Sequence, residues 1–388
     1  MSLSTTPNYY QYILKQECIF RSYHISDEKN IVQLLEVAFR DWPNFDLKCS
    51  PLEHWRWKYK DNPQNRIVVC LAENYGKIIG CHHTIPARIK LKNCSINAHQ
   101  SSDLAVHPDY RRQGIAGSLG ETINKLIENA GIKFKINFEL NPSVLRSNKR
   151  SQYEDFPHRV TIFVRIKDID LFLKSNKTKR GSLGKYGYKI LKFLNKLRNP
   201  LMKTNSETES IDQLTYPEIT ISDVERFDNR VSKFWKKIRN NYDLIIERDM
   251  KYLNWRYCDF RGGDYNVKIA ETKGEILGYI VLRNKKEKSN SNDSIGYIVD
   301  LLALPERSDV ADKLLSKGID FLDESSANII QSFMTRNHPL EKVFRKQGFL
   351  NSRIEVFVLI KSGHEEKTFD RASVSGRLHI QYGDTDWI

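Results

Sequence analysis

The sequence has few of the features that mark membrane-spanning, secreted or metal-binding chains. Its 388 residues contain no apolar run of about 18 residues, so we expect no spanning helix. The first residues, MSLSTTPNYYQYILKQE, lack the apolar core of a signal peptide. None of the six cysteines forms a Cys-x-x-Cys pair, and metal-site spacing is missing. We therefore predict a cytoplasmic protein with reduced thiols and no metal ion.

Acidic residues are scarce in one long segment. The chain has 62 Lys and Arg against 48 Asp and Glu, a net charge of +14, yet residues 174–203 hold ten basic residues and no acidic one. Apolar residues between Tyr188 and Leu201 follow helical spacing, which predicts a basic amphipathic helix. Such a helix either packs between domains or binds a membrane surface or an acidic partner. The rest of the chain is not strongly basic, so a nucleic-acid partner is not expected.

The chain repeats itself at a spacing of about half its length, which indicates two copies of one domain. The matching pairs are Trp55-Arg56-Trp57 with Trp255-Arg256-Tyr257, 72–80 with 270–278, 103–108 with 300–305, and Asn141 with Asn337. The expected boundaries are 1–173 for the N-terminal domain, 174–217 for the basic linker, 218–363 for the C-terminal domain and 364–388 for a tail.

Within each copy, predicted strands outnumber predicted helices. In the first copy, IVVCLAE, KIIGCHHTIPARIKL and SINAHQSSDLAVHP have the composition of three successive strands. The stretch RRQGIAGSLGETINKLIENAG has helical spacing and ends at Gly131. The pattern predicts an α+β (mixed α/β) fold, with a mostly antiparallel mixed sheet flanked by helices in each copy.

The stretch DLAVHPDYRRQGIAGSLGETI (103–123) combines bare backbone with positive charge where a strand passes into a helix. A helix N-terminus presents N–H groups without intrahelical partners and a partial positive charge. Small residues let an anion approach that backbone, so the stretch predicts a phosphate or pyrophosphate site. It is neither a Walker loop nor a Gly-x-Gly-x-x-Gly fingerprint. The residues concerned are Arg111, Arg112, Gln113, Gly114, Ile115, Ala116 and Gly117.

Arg111-Arg112-Gln113-Gly114-Ile115-Ala116 resembles the Arg/Gln-x-x-Gly-x-Gly/Ala loop of the GNAT acyl-CoA N-acyltransferase superfamily, and VHPDYR before it is similar too. The resemblance covers roughly 18–168 and 218–361 and implies two tandem GNAT-like domains. It also implies that an acyl-CoA, acetyl-CoA or another, is the co-substrate. Its pantetheine arm would lie along Leu104 to Val106, and Val106 N–H would face the thioester oxygen. Asn141 matches the asparagine that follows the fifth strand in the family.

Each copy departs from the family pattern in a different place. The second copy has LPERSDVADKLL (304–315) in place of the loop, without glycine and with Glu306 and Asp309, so we expect it not to bind CoA in the usual way. The first copy lacks the tyrosine that protonates the leaving thiolate in the family, and Tyr153 is the substitute candidate. We predict one active site, in the N-terminal copy.

Candidate bases for the acceptor amine are Asp103, Glu139, His82 and His83. Asp103 is closest in sequence to the expected thioester, but its counterpart Asp300 lies in the copy without the loop, which favours a structural role for both. Adjacent His82 and His83 point to opposite faces of a strand. The repeated tryptophan motifs suit either an acceptor wall or simple packing.

The leading hypothesis is an N-acetyltransferase, an acyltransferase that moves groups other than aminoacyl to a primary amine such as a small amine or an amino sugar. One alternative is an aminoacyl or peptidyl transferase of the tandem-GNAT cell-wall type, for which the basic segment 174–203 would suit RNA. The other is a non-catalytic acyl-CoA-binding module.

Overall fold

A computed structural model describes residues 18–43, 47–132, 134–140, 154–155, 159–168, 218–286, 294–362 and 377–387. Several predictions from the sequence lie outside these residues and are not tested by the structure. They concern Asn141, Tyr153 and the basic segment 174–203.

Along the described residues, runs of mostly antiparallel strands are interrupted by helices, which confirms the α+β class. The strands are β1 (Cys18–Ser22), β2 (Val69–Asn74), β3 (Lys77–Leu91), β4 (Cys94–Val106), β5 (Phe134–Glu139), β6 (Glu154–Asp155), β7 (Val160–Ile166), β8 (Thr220–Asp223), β9 (Leu244–Ile246), β10 (Asn266–Thr272), β11 (Glu275–Lys286), β12 (Ser294–Ala303), β13 (Ala327–Thr335), β14 (Leu350–Ser362) and β15 (Leu378–His379). The helices are α1 (Glu28–Phe39), α2 (Pro51–Trp55), α3 (Ile115–Asn129), α4 (Arg230–Ile238), α5 (Met250–Tyr257), α6 (Ser308–Glu324) and α7 (Glu341–Lys346).

The chain forms two compact units, and neither is one continuous stretch of sequence. Unit 1 comprises Met1–Pro157, Asp243–Gly263 and Phe357–Ser375, and unit 2 comprises His158–Tyr242, Asp264–Val356 and Gly376–Ile388.

Unit 1 is built on a sheet in the order β1-β2-β3-β4-β5, followed by residues 357–362 of β14. The pairs are antiparallel except β4 with β5, which is parallel. Helix α1 packs on one face, in a core that includes Leu35, Trp55 and Leu71. Helix α3 packs on the other through Leu119 and Ile123. Alternate residues of β2 therefore serve two different cores.

Local sequence explains where α2 begins. Ser50 is its N-cap: the hydroxyl accepts a hydrogen bond from the Glu53 N–H, and the Glu53 carboxylate accepts one from the Ser50 N–H. This capping box, with Pro51 at the first helical position, fixes the start of the helix. The chain then continues as a π-helical turn, Arg56–Lys60. The residues Trp57, Lys58 and Tyr59 of that turn are buried within unit 1.

Unit 2 has a sheet in the order β8-β10-β11-β12-β13-β7, followed by residues 350–356 of β14. Only β12 and β13 are parallel, and α6 covers one face through Leu314, Leu315 and Leu322. The hairpin β10–β11 has a register shift at Ala270/Glu271, and the hairpin β2–β3 of unit 1 has one at Ala72/Glu73. The repeat seen in the sequence thus coincides with a repeated irregularity in strand pairing.

The compact units do not follow the predicted boundaries of 1–173 and 218–363. Strand β7, which lies within the predicted N-terminal domain of 1–173, pairs with β13 and with residues 350–356 inside unit 2. The last part of β14 instead pairs with β5 in unit 1. The free edge of a sheet can pair with a strand from a distant part of the sequence. Sequence order alone therefore does not show that β7 pairs within unit 2 and the last part of β14 within unit 1.

Candidate active site

The predicted anion loop lies between β4 and α3. After Val106 the chain makes a short 3-10 turn, Pro108–Tyr110, and α3 begins at Ile115 with Gly114 as its N-cap residue. Gly114 has φ of +83°, a conformation that glycine adopts without strain. A Cβ built at Gly114 or Gly117 meets no atom within 4 Å, so the loop backbone is open.

The two arginines of the loop are used differently. The Arg111 guanidinium donates from Nε to the Val106 carbonyl (3.2 Å) and from Nη2 to the Ala38 carbonyl (2.9 Å). It therefore ties the end of β4 to the end of α1. Arg112 is exposed and makes no hydrogen bond or ion pair with any residue that the structure describes. Of the two guanidinium groups, that of Arg112 is the one available to bind an anion.

Strands β4 and β5 separate partway along their length. Their ladder joins only Ala98 to Phe134 and His99 to Lys135. Beyond that point the Ser101 N–H donates to the Asn137 side-chain oxygen (3.0 Å), so a side chain replaces a main-chain partner. We call the space between β4 residues 102–106 and the end of β5 the β4–β5 opening.

The ladder with β3 sets which backbone groups face the β4–β5 opening. The His107 N–H donates to the Ile79 carbonyl (2.8 Å), so it points toward β3. Successive N–H groups of a strand alternate between its two edges, so those of Val106 and Leu104 point away from β3. The structure thus brings the predicted loop, Leu104 and Val106 to one end of β4.

Asp103 is held by an ion pair that the sequence did not reveal. Its carboxylate, on a side chain 15% exposed, accepts hydrogen bonds from Lys58 Nζ (3.0 Å) and from the Tyr59 hydroxyl. Burial alone would raise the pKa of this carboxyl, but the Lys58 ammonium and the Tyr59 hydrogen bond hold it at about 2. A carboxylate of such low basicity is poorly matched to deprotonating an amine, so its surroundings do not favour the predicted role of base.

His83 is a satisfied core residue. Its Nδ1 lies 3.0 Å from the Asp103 carbonyl, and its Nε2 accepts from the indole N–H of Trp55 (3.0 Å). These partners require a neutral ring with its proton on Nδ1. Burial lowers the pKa of His83 to about 4, in keeping with that neutral form.

His82 and His99 are buried with ring nitrogens that lack hydrogen-bond partners among the described residues: Nδ1 of His82 and both nitrogens of His99. Burial, together with the nearby Lys135 ammonium, lowers the pKa of each histidine to about 3. A base with that pKa does not retain a proton near neutral pH.

Glu139 ends β5 and is half-buried. Ile136 and Phe138 are buried, so Asn137 and Glu139 share the opposite face of the strand. The Asn137 side chain reaches Ser101 of β4 from that face. Glu139 therefore remains a candidate base, whereas Asn141 and Tyr153 lie outside the described residues.

Unit 2 has a different arrangement at the corresponding positions. Helix α6 begins at Ser308, and Asp309 in its first turn pairs with Arg307 (2.8 Å). A carboxylate thus already occupies the positive end of this helix. Asp300, the counterpart of Asp103, is fully buried and accepts from the Tyr279 hydroxyl (2.9 Å) and lies 3.0 Å from His379 Nε2.

The sequence did not indicate that Lys58, Tyr59 and Trp55 surround Asp103. A signal was present, because the segment HWRWKYK holds three aromatic residues beside three basic ones in one short stretch. Both Trp55 and Trp57 are buried, so the packing interpretation of the tryptophan motif is correct for these residues.

Within the described ranges, no group of three His, Cys, Asp or Glu side chains is placed to hold a metal ion. None of the helices described is long and apolar enough to cross a membrane.

Comparison with known proteins agrees with this geometry. Residues 20–147 match the family model described as an acetyltransferase (GNAT) domain, so this part of the chain carries a GNAT domain. No curated protein matches the chain.

Solved structures share the fold at low sequence identity. N-myristoyltransferase from Saccharomyces cerevisiae, solved with bound myristoyl-CoA and inhibitors, is 10% identical, with 89% of this chain and 80% of that chain covered and a TM-score of 0.55. A probable N-acyltransferase from Enterococcus faecalis is 11% identical over 89% and 72% of the two chains, with a TM-score of 0.57. A GCN5-related N-acetyltransferase from Anabaena variabilis is 12% identical over the same shares, with a TM-score of 0.56. At these identities the likeness establishes the fold alone, which is GNAT-like.

Proposed function

We propose that the protein is an acetyl-CoA-dependent N-acetyltransferase that acts on a primary amine through one site in unit 1. The observation that carries the proposal is the joint position of an open glycine loop at the start of α3 and the β4–β5 opening beside it. The glycine loop suits a pyrophosphate, and the β4–β5 opening suits an extended pantetheine arm. Matching of residues 20–147 to a GNAT domain supports the same interpretation.

Each part of the site has its own task in this proposal. The backbone N–H groups of residues 113–117 bind the pyrophosphate, and Arg112 adds a full charge. The edge of β4 from Leu104 to Val106 holds the pantetheine arm, with Asn141 contributing beyond β5. The Val106 N–H donates to the thioester oxygen, where negative charge grows during attack by the amine.

Two proton transfers complete the reaction. An amine with a pKa of about 10.4 is mostly protonated near neutral pH and must lose a proton before it attacks. Glu139 is the candidate base, because it shares a strand face with Asn137, which reaches across to β4. Tyr153 is the candidate acid for the departing thiolate.

The proposal extends to the location, acceptor and partners of the enzyme. All six cysteines are free thiols, as a reducing cytoplasm would keep them. The acceptor is a small amine or an amino sugar. The basic segment 174–203 is a candidate contact for a membrane surface or an acidic partner.

Calorimetric titration of acetyl-CoA into wild-type protein and two glycine variants tests the proposal. Gly114→Glu places a carboxylate and a strained backbone in the loop. Gly76→Glu is the matched control, because Gly76 has φ of +76° and open space around it but lies in the β2–β3 turn. We expect Gly114→Glu to weaken acetyl-CoA binding by more than about 10-fold, equivalent to 1.4 kcal/mol, and Gly76→Glu to leave it unchanged.

An amine panel, with release of free thiol as the signal, then tests turnover. No binding of acetyl-CoA or longer acyl-CoAs to the wild type would overturn the proposal. Binding without turnover on any amine would favour the non-catalytic acyl-CoA module. Transfer that requires aminoacyl-tRNA in place of acetyl-CoA would favour the aminoacyl transferase.

A further inference from the structure

Strand β4 contains a bulge centred on Asp103. In its ladder with β3, Cys81 pairs with Ala105 and His83 pairs with Ser102. Between these two pairs β4 has one residue more than β3, so the register shifts. The extra residue on β4 is accommodated at Asp103, whose φ is +43°. Non-glycine residues seldom adopt positive φ, so contacts around Asp103 must hold it there.

Two buried side chains hold the Asp103 side chain. Lys58 Nζ lies 3.0 Å from the carboxylate, and the Lys58 side chain is only 6% exposed. The Tyr59 hydroxyl donates to the same carboxylate oxygen and lies 3.2 Å from the Ser102 hydroxyl. Two opposite charges with so little access to water depend on each other, because each offsets the cost of burying the other.

A second pair of side chains holds the Asp103 main chain. The His83 Nδ1–H donates to the Asp103 carbonyl, and Trp55 fixes the His83 ring from its other nitrogen. Tyr59 stacks on the same ring, with centroids 4.3 Å apart. Side chain and carbonyl of the bulged residue are therefore both anchored on the interior side.

Together with the β3 ladder, these anchors fix the direction of the next N–H group. In a trans peptide the carbonyl and the following N–H point in opposite directions. Because the Asp103 carbonyl faces His83, the Leu104 N–H faces away from it, toward the β4–β5 opening. Strand alternation then turns the Val106 N–H the same way.

We propose that Asp103 is a positioning residue of the acyl-transfer site: paired with Lys58 and Tyr59, it locks the β4 bulge so that the Leu104 and Val106 N–H groups face the thioester oxygen of a bound acyl-CoA. The inference rests on the proposed function and gives Asp103 a task other than that of a base. The N–H groups, preorganised in this way, need no rearrangement when charge develops on that oxygen. Loss of the anchor leaves the pyrophosphate loop intact, so binding and turnover respond differently.

A charge-rescue series tests this inference. The variants are Asp103→Asn, Lys58→Met and the double variant, with Asp27→Asn as control. Asp27 is also buried and pairs with an arginine, Arg21, at 2.7 Å in unit 1, but has no contact with β4 among those described. Acetyl-CoA affinity is measured by calorimetry, and kcat with the acceptor amine or, without one, for hydrolysis of acetyl-CoA.

We expect each single variant to lower kcat by about 10-fold or more, in the range for a misplaced oxyanion donor, with acetyl-CoA affinity within about 3-fold of wild type. The double variant recovers most of kcat, because the amide oxygen that replaces the carboxylate still accepts from Tyr59 and both buried charges of the pair are removed together. Asp27→Asn lowers the melting temperature but leaves kcat unchanged.

A double variant as inactive as Asp103→Asn would overturn the inference, because a lost base is not restored by removing Lys58. An unchanged kcat in Asp103→Asn would overturn it as well. Wild-type protein that binds no acyl-CoA would instead refute the proposed function, so the two failures are distinguishable.

Amide NMR gives a readout for variants too unstable for kinetics. In protein labelled with ¹⁵N-leucine and ¹⁵N-valine, acetyl-CoA is expected to shift the Leu104 and Val106 amide signals more than CoA does. Tyr59→Phe, which removes one hydrogen bond and no charge, should reduce that difference while the protein stays folded. Equal shifts with acetyl-CoA and CoA in the wild type would contradict the inference.

Discussion

Trp57 and Trp255 hold each other by two reciprocal hydrogen bonds. The indole N–H of Trp57 donates to the Trp255 carbonyl (2.8 Å), and that of Trp255 donates to the Trp57 carbonyl (2.9 Å). The rings stack with centroids 5.0 Å apart and planes 18° apart. Two residues from the repeated tryptophan motifs thus join 243–263 to the rest of unit 1.

The reciprocal bonds predict a stability effect without a catalytic one. Trp57→Phe keeps an aromatic ring but leaves the Trp255 carbonyl without its indole donor, at a cost of about 1–3 kcal/mol. Urea unfolding measures this loss, and calorimetry with acetyl-CoA provides the control. A change in acetyl-CoA affinity larger than the change in stability would show that the tryptophan pair serves the site directly.

Gly262 is expected to tolerate no side chain. A Cβ at this position would lie 2.4 Å from Trp57 Cζ2, inside the van der Waals contact distance. Gly262→Ala should destabilise the protein by about 1–3 kcal/mol through overpacking. Gly120→Ala is the matched control, because a Cβ at Gly120 meets nothing within 4 Å. Gly120 also lies within α3, where alanine favours the helix. Equal melting temperatures for the two variants would be the contrary result.

The adjacent loop arginines should separate into a structural and a binding residue. Arg111→Ala removes hydrogen bonds to the Val106 and Ala38 carbonyls and should lower stability by about 1 kcal/mol. Arg112→Ala should leave stability unchanged and weaken acetyl-CoA binding, with a smaller dependence of affinity on salt than the wild type shows. If Arg111→Ala weakened binding more than Arg112→Ala without loss of stability, the assignment would be reversed.

Buried histidines predict acid sensitivity of unit 1. Burial lowers the pKa of His54 and His83 to about 4, and that of His82 and His99 to about 3, below the ordinary value of 6.5. Between about pH 6.5 and pH 4 these histidines bind protons in the unfolded chain but not in the folded chain. Stability is therefore full above pH 6.5 and falls as the pH drops toward 4. The slope approaches about 1.4 kcal/mol per pH unit for each histidine. Urea midpoints from pH 7 to pH 5 check this, and a flat profile would contradict it.

His99 offers a stabilising substitution. Its side chain is buried, and neither ring nitrogen has a hydrogen-bond partner among the described residues. His99→Leu removes these polar atoms at similar volume and should raise the free energy of unfolding by about 1 kcal/mol near pH 7. The gain should grow at lower pH, because one proton-binding group is gone from the unfolded chain. A less stable variant at pH 7 would mean that the imidazole has a partner, such as an ordered water.

The parts of the site that the sequence predicted are those made by contiguous residues. Gly114, Gly117 and the arginines belong to one turn, so strand-to-helix periodicity and residue size were enough to predict an anion loop. The N–H groups of Leu104 and Val106 belong to the same strand and followed from the resemblance. Asp103 was predicted as a possible base, because the sequence does not show that Lys58, 45 positions earlier, reaches its carboxylate.

The sequence by itself determined the α+β class and the position of the glycine loop, because these depend on local periodicity and on which residues allow bare backbone. Tertiary structure alone decided the rest: that β7 belongs to unit 2, that residues 243–263 belong to unit 1, and that Asp103 is an anchored carboxylate. Strand edges and buried charges find partners by distance in space, and that distance is set only when the whole sheet has formed.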